Sequence, residues 1–254
     1  AVTIDRNQYR HHDYADFAQE FLIRNVDYRK DHAQTLARIA QSPQTESMQQ
    51  EGLSRRWGLS FPQDPLASPR ETPALWSPDA APDVVVLEAV DSQRALSLPH
   101  GAETLVESAT DDERHIVVAH GTERLRLCVR RAPARSAPAI WIPCDASCAL
   151  RLAAATRFQR AVRRNRVAAD HVGLPSANQR RRYAQLLRLH DALEAGATAH
   201  DLAFGLVYPN HRPLAGAEWK GSGEKRHVLR LIAAARRLVT NGIAHYCYTA
   251  DHTL

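Results

Sequence analysis

Apolar residues recur at helical spacing through Tyr14–Ile23, with Phe17, Phe21 and Leu22 on one side. Asp13 stands where a carboxylate would accept from the open amides of the first turn. Asp31–Gln41 predicts a second short helix. The pattern then breaks. Arg55-Arg56-Trp57-Gly58-Leu59 and the prolines Pro62, Pro65, Pro69, Pro73, Pro78 and Pro82 predict extended or irregular chain. Proline fixes its own φ and pushes its predecessor out of the α region. Val84–Val90 predicts a buried strand. Arg114–Ala119 and Leu125–Arg131 predict two more, flanking a hairpin turn at His120-Gly121-Thr122-Glu123, and Ala139–Ile142 a short one ended by Pro143. Arg124, Arg126 and Arg130 alternate with Leu125, Leu127 and Val129, so one face of that strand is expected to be wet.

From about Ala146 the pattern is helical. Ala149–Arg166 is rich in Ala and Arg. Ser176 with Gln179 forms a capping-box pattern that opens a second helix, closed at Gly196. Thr198 with Asp201 opens a short helix ending near Val207. Ser222 starts a long helix that Asn241-Gly242 stops. At 100° per residue, Val228, Leu231, Ile232, Ala235, Leu238 and Val239 fall within an arc of about 120°. Lys225, Arg226, Arg230, Arg236 and Arg237 fall within about 140° on the opposite side, with Leu229 and Ala233 as exceptions. The expected fold is α+β: an N-terminal helical piece (1–83), a small antiparallel sheet (84–144) and a helical domain with an atypical helix-turn-helix (145–254).

Charge sharpens this division. The chain carries a formal +5, but residues 1–110 hold 10 Lys/Arg against 16 Asp/Glu, while residues 149–254 hold 17 against 7. An acidic front and a strongly basic back predict that the back meets a polyanion. Lys220-Gly221-Ser222-Gly223-Glu224-Lys225-Arg226 combines free amides, a hydroxyl and three cations at a helix start, where amides and dipole attract phosphate. Arg also reads guanine in the major groove by a bidentate contact. The candidate DNA-binding residues are therefore Lys220, Ser222, Lys225, Arg226 and Arg230, with Arg180 and Arg181 from the cluster Arg180-Arg181-Arg182. Arg157–Arg166 is a third cluster. The short helix before Ser222 gives a helix-turn-helix outline, although Tyr208–Gly221 is longer than the usual turn of about 3–4 residues. A basic face also arises where a helix only solvates a surface or pairs with acids. The scarcity of acids in the back half argues against that.

Several of these residues also carry a resemblance. Ile142-Pro143-Cys144-Asp145, then Gln179-Arg180-Arg181-Arg182, Leu214-Ala215-Gly216-Ala217-Glu218-Trp219-Lys220-Gly221-Ser222 and Arg226 through Leu231 resemble a bacterial domain of unknown function. That family supplies activators and antiactivators of integrative and conjugative element transfer. Tyr14, Glu20-Phe21-Leu22-Ile23-Arg24-Asn25, Asp27-Tyr28-Arg29, Arg56-Trp57-Gly58-Leu59 and Trp76-Ser77-Pro78 resemble a small transcriptional-regulator module. The two occur fused in FseA-type activators of excision and transfer genes. The resemblance implies an atypical helix-turn-helix in the back half, a transcriptional role, and Ser222, Lys225, Arg226 and Arg230 on the helix expected in the groove. Gly221 and Gly223 flank Ser222, where the family carries less glycine.

Other chemistries are weaker. His227-Val228-Leu229-Arg230 with Tyr246 suggests a tyrosine recombinase, but another Arg and a longer run to the Tyr are wanting, and His227 falls at the margin of the apolar arc. His11-His12 with Asp13 is expected to be solvated rather than metal-binding. Trp57, Trp76, Trp141 and Trp219 fit packing anchors better than base-stacking platforms. No Walker A loop, dinucleotide fingerprint, nucleophile elbow or His-Glu-x-x-His is present, so no enzyme and no cofactor is expected. Cys128, Cys144, Cys148 and Cys247 form neither a disulfide framework nor a spaced zinc set, so no metal is expected. Ala1–Arg10 has no apolar signal-peptide core and no run approaches the ~18–20 apolar residues of a membrane span. A cytoplasmic regulator is expected, with double-stranded DNA as partner and the acidic front contacting RNA polymerase or another regulator. The rival from another class is an antiactivator, a protein-interaction module that binds a regulator without touching DNA.

Overall fold

The computed structural model describes residues 9–89, 98–131, 139–163 and 173–241. The ends of the strand read to Val90 and of the helix read to Arg166 lie outside these, as does Tyr246. The chain forms two compact units: His11–Ser176, and Ala177–Asn241 with Tyr9 and Arg10.

The larger unit opens with α1 (Tyr14–Leu22), α2 (Val26–Gln41), a 3₁₀ turn at Pro43–Thr45 and α3 (Glu46–Arg56). Asp13 caps α1 as its position predicts. It accepts from the Asp16 amide at 2.9 Å, while the Asp16 carboxylate accepts from the Asp13 amide at 3.2 Å. α2 begins earlier than its apolar pattern indicates because Asn25 caps it, Oδ1 accepting from Asp27 N at 2.8 Å and Tyr28 N at 3.1 Å. Arg55 and Arg56 form the last turn of α3 rather than irregular chain. Only Leu53 and Ser54 of that helix are buried, so it has no apolar stripe to read. The proline-rich stretch is irregular, and buried helix side chains satisfy its backbone. Gln19 donates to Thr72 O at 2.9 Å and accepts from Ala74 N at 2.7 Å, and Tyr28 donates to Gln63 O.

Five strands follow: β1 (Val84–Ala89), β2 (Glu103–Ala109), β3 (Glu113–His120), β4 (Glu123–Arg131) and β5 (Ala139–Trp141), in the order β2-β3-β4-β1-β5. β3 and β4 make the predicted hairpin about Gly121, whose φ of 65° is the left-handed value such a turn demands. The sheet is mixed rather than wholly antiparallel. β1 runs parallel to β4, because the chain leaves β1 for the far edge at β2 and meanders back. β2 is an edge strand with every residue at least partly exposed, which left it without a burial signal.

Val85, Ile116, Val118, Leu125 and Leu127 on one face pack with Ala154 and Phe158 of α4 (Cys148–Val162). α4, which the sequence reading grouped with the C-terminal helices, thus shares the sheet's core. The other face is not wet at its centre. Arg126 is 3% exposed, and its guanidinium meets Asp13, Asp16 at 2.8 Å and Asp83 at 3.2 Å. Arg124 pairs with Asp16 and donates to Pro69 O at 2.8 Å. The N-terminal helices cover this face and bring the carboxylates that neutralise it. Burial pushes Asp13 up, but the Arg126 charge and hydrogen bond outweigh it and hold the carboxyl below its usual range. Asp16, buried and beside the Asp13 charge, is pushed up to about 6. His12 is buried too, against Glu20 at 3.4 Å, and so is not solvated as expected.

The second unit holds α5 (Ala177–Glu194), α6 (Ala199–Leu202) running into a π turn at Ala203–Val207, α7 (Gly216–Gly221) and α8 (Gly223–Thr240). Leu186, Leu187 and Leu189 of α5, Leu202 and Ala203, and Val228, Ile232, Ala235, Leu238 and Val239 of α8 are its buried apolar residues. The overall class is α+β, as expected. No helix among the described residues is long and apolar enough to cross a membrane.

Candidate nucleic-acid interface

Ser222 sets the geometry at the start of α8. It is the last cap of α7 and the first of α8: its hydroxyl donates to Trp219 O at 3.0 Å and accepts from Lys225 N at 3.1 Å. One of the four orphan amides of the helix start is thereby satisfied. The stretch Tyr208–Gly221, expected as a long turn, is irregular only to Ala215 and ends in the short helix α7. Trp219 anchors it, with ring centroids 5.0 Å from His200 and 5.6 Å from Phe204. His200 Nε2 lies 2.8 Å from Leu214 O, which fixes the entry to α7. The Tyr208 hydroxyl meets His227 Nδ1 at 2.5 Å, so that ring is held at the core margin by a neighbour on the π turn's far side. These contacts place Lys220, exposed, and Ser222, half-buried, at the mouth of α8.

The two faces of α8 follow the expected rotation. Val228, Ile232, Ala235, Leu238 and Val239 are buried, with Leu231 half-buried at their edge. Arg226, Arg230, Arg236 and Arg237 are exposed and Lys225 is half-buried. Among the described residues, none of these five cations, nor Lys220, has a carboxylate within ion-pairing distance. The two acids nearest this end are directed elsewhere: Glu224 lies 3.6 Å from His211, and Glu218 lies 3.2 Å from Arg212. The helix therefore presents uncompensated positive charge along one side, beginning at its positive dipole end.

A second basic surface lies on α5. Arg180, Arg181, Arg182 and Arg188, with Arg10, line an open groove of about 860 Å³ whose wall holds no acidic side chain among the described residues. Arg181 donates to Asn178 Oδ1 and, at 3.4 Å, to Ala177 O, which lays it along the helix start. Arg182 and Arg188 have no carboxylate partner among the described residues. Arg188 was missed in the sequence, although it stands seven positions after Arg181 and so two turns along the same side. Arg10 gave no local signal, since only the tertiary fold brings it to α5. The third cluster divides: Arg157, Arg160 and Arg163 lie on or just after α4 in the larger unit, and residues 164–166 are outside the described ones. Surfaces of this kind hold phosphate oxygens, whose charges Arg and Lys neutralise with release of counterions.

Residues 141–244 match the family model of a T6SS transcription factor DNA-binding domain. Residues 4–62 match that of a proteobacterial transcriptional regulator-like domain. No curated protein and no solved structure matches the chain. The first match spans α4 to α8 and so contains both basic surfaces except Arg10. Together the two support a DNA-binding transcriptional regulator with DNA as its partner.

Proposed function

We propose that the C-terminal unit binds duplex DNA through α8, with Ser222, Lys225, Arg226 and Arg230 entering the groove and Lys220 on an adjoining phosphate. Arg180 and Arg181 of α5 hold further phosphate. The observation that carries this reading is the row of cations on α8, which meet no carboxylate among the described residues and start at a capped helix end. A helix-turn-helix style of docking fits a helix so presented, with α6, the π turn and α7 bracing it.

On this reading the chain works in the cytoplasm as an activator of excision and transfer genes of a mobile element, as the FseA-type resemblance implies. The acidic N-terminal part, residues 1–83, serves as the contact for RNA polymerase or another regulator, and the DNA-binding part lies within 145–254. The matched model's description favours a second target class, T6SS genes. Footprinting the full chain on promoters of both classes separates the two. Protection that disappears with Arg226→Ala and Arg230→Ala is the expected result. A folded protein that protects neither promoter and instead associates with a regulator would make it an antiactivator.

A further inference from the structure

β3 and β4 bring together a group of side chains that DNA binding does not use. Glu113 and His115 are two apart on β3 and so share a face. Cys128 on β4 is the direct partner of His115 across the ladder, and Arg130 the partner of Glu113. His115 Nε2 lies 3.0 Å from Glu113 Oε2 and 3.7 Å from Cys128 Sγ, and the three donor atoms all lie within 4.8 Å of one another. We propose that Glu113, His115 and Cys128 bind one thiophilic divalent metal ion of the zinc class, with a fourth position open to the adjoining pocket.

Tetrahedral zinc with bonds of about 2.0–2.3 Å places N and O ligands about 3.4 Å apart and N and S ligands about 3.6 Å apart. The two separations from His115 need to change by only a few tenths of an ångström, and the carboxylate–thiol separation, within 4.8 Å, closes by rotation of the Glu113 side chain. The donor set of thiol, imidazole and carboxylate is one that zinc takes and magnesium or calcium does not. Glu113 divides its oxygens: Oε2 faces His115, while Oε1 accepts from Arg130 Nε at 2.8 Å. Arg130, which also neighbours the Cys128 thiol, thus orients the carboxylate, as outer partners of metal ligands do. A bound dication with one thiolate and one carboxylate is neutral overall, so the guanidinium is no electrostatic obstacle. Phe61 packs edge-on to His115 with centroids 5.6 Å apart and holds the ring. Glu113 and His115 line a pocket of about 540 Å³ with Ser54, Ser60 and Thr110, which leaves room for water or a small ligand at the fourth position. The ion displaces the Cys128 thiol proton to solvent as the metal–sulfur bond forms.

The test is a titration of the reduced full chain with Co²⁺ alone, followed by Zn²⁺. One equivalent of Co²⁺ is expected to give a thiolate-to-cobalt charge-transfer band in the near ultraviolet, and Zn²⁺ to displace it. The band is expected to persist in the Cys144→Ser/Cys148→Ser double variant and to vanish in Cys128→Ser. Because Cys128 is buried, Arg130→Gln provides a second, milder probe, with a loss of about 10–100-fold in metal affinity. No band in the wild-type chain would overturn the proposal. So would a band that survives Cys128→Ser, or one lost with Cys144 and Cys148.

Discussion

Arg126 and Arg226 carry the same guanidinium into opposite surroundings. Arg126 sits in the sheet of the larger unit, buried among Asp13, Asp16 and Asp83. Arg226 stands exposed on α8 with no carboxylate partner among the described residues. The contrast extends to their neighbours. Arg24, Arg114, Arg124, Arg130 and Arg151 of the larger unit all meet acids, whereas Lys220, Lys225, Arg230, Arg236 and Arg237 of the smaller one meet none among the described residues. At Arg126 the guanidinium is a cross-link that the fold has already neutralised. At Arg226 it stands exposed without an acid beside it among the described residues. Composition alone, 11 Lys/Arg against 5 Asp/Glu over residues 177–241, made the second case readable; it could not show the first.

The sharpest way to break this contrast is to exchange consequences between the units. Arg126→Met strands buried carboxylates and is expected to cost about 3–5 kcal/mol of stability in chemical denaturation. Duplex affinity of the protein that remains folded should not change. Arg226→Ala and Arg230→Ala should behave in reverse. Each is expected to lower duplex affinity by about 1–3 kcal/mol if it reads a base. Their effect on unfolding should stay within about 0.5 kcal/mol, as for other exposed substitutions. Ser222→Ala lies between the two types. Loss of the cap should cost about 1 kcal/mol of stability and loosen α7 from α8, so that affinity falls with it.

Acidity separates the units more gently. Burial pushes Asp13 and Glu20 up, but Arg126 for the first, and His12 and Arg24 for the second, hold both below their usual values. Their contribution is complete above the unfolded values of 3.8 and 4.5 and is lost as pH falls through the lowered folded ones. Asp16 runs the other way. Raised to about 6, it contributes fully below its unfolded 3.8, and that contribution is lost as pH rises through 6. The thermal midpoint of the larger unit should therefore decline on both sides, and Asp16→Asn should abolish only the decline towards pH 6. A profile unchanged by that substitution would contradict the role given to Asp16.

Local signals carried most of what was legible. The Asp13 cap, the Thr198 and Ser222 starts, the hairpin at Gly121 and the buried arc of α8 are each written within a few residues. What escaped was written across long distances or not at all. The cover over Arg126 comes from Asp13 and Asp16, far upstream, so a strand with alternating arginines reads as half-wet although it is sealed at Arg126. The parallel register of β1 depends on a path through β2, an exposed edge strand with little apolar alternation. α7 is a six-residue helix held chiefly by Trp219, too short for periodicity to show. In the candidate interface, Ser222 to Arg230 was readable from one helix and its cap, but Arg10 joined the α5 groove only through folding. The Glu113, His115 and Cys128 group was invisible for the same reason, since ladder pairing, not sequence spacing, brings Cys128 to His115.

The dependence of duplex affinity on salt tests the uncompensated cations most directly. Each phosphate contact contributes about −0.9 to the slope of log affinity against log salt. The full chain is expected to give a steep slope, and the triple variant Lys225→Ala, Arg226→Ala, Arg230→Ala one flatter by up to about 2.7. A slope near zero, or one that the triple variant leaves unchanged, would contradict the assignment of α8 to DNA.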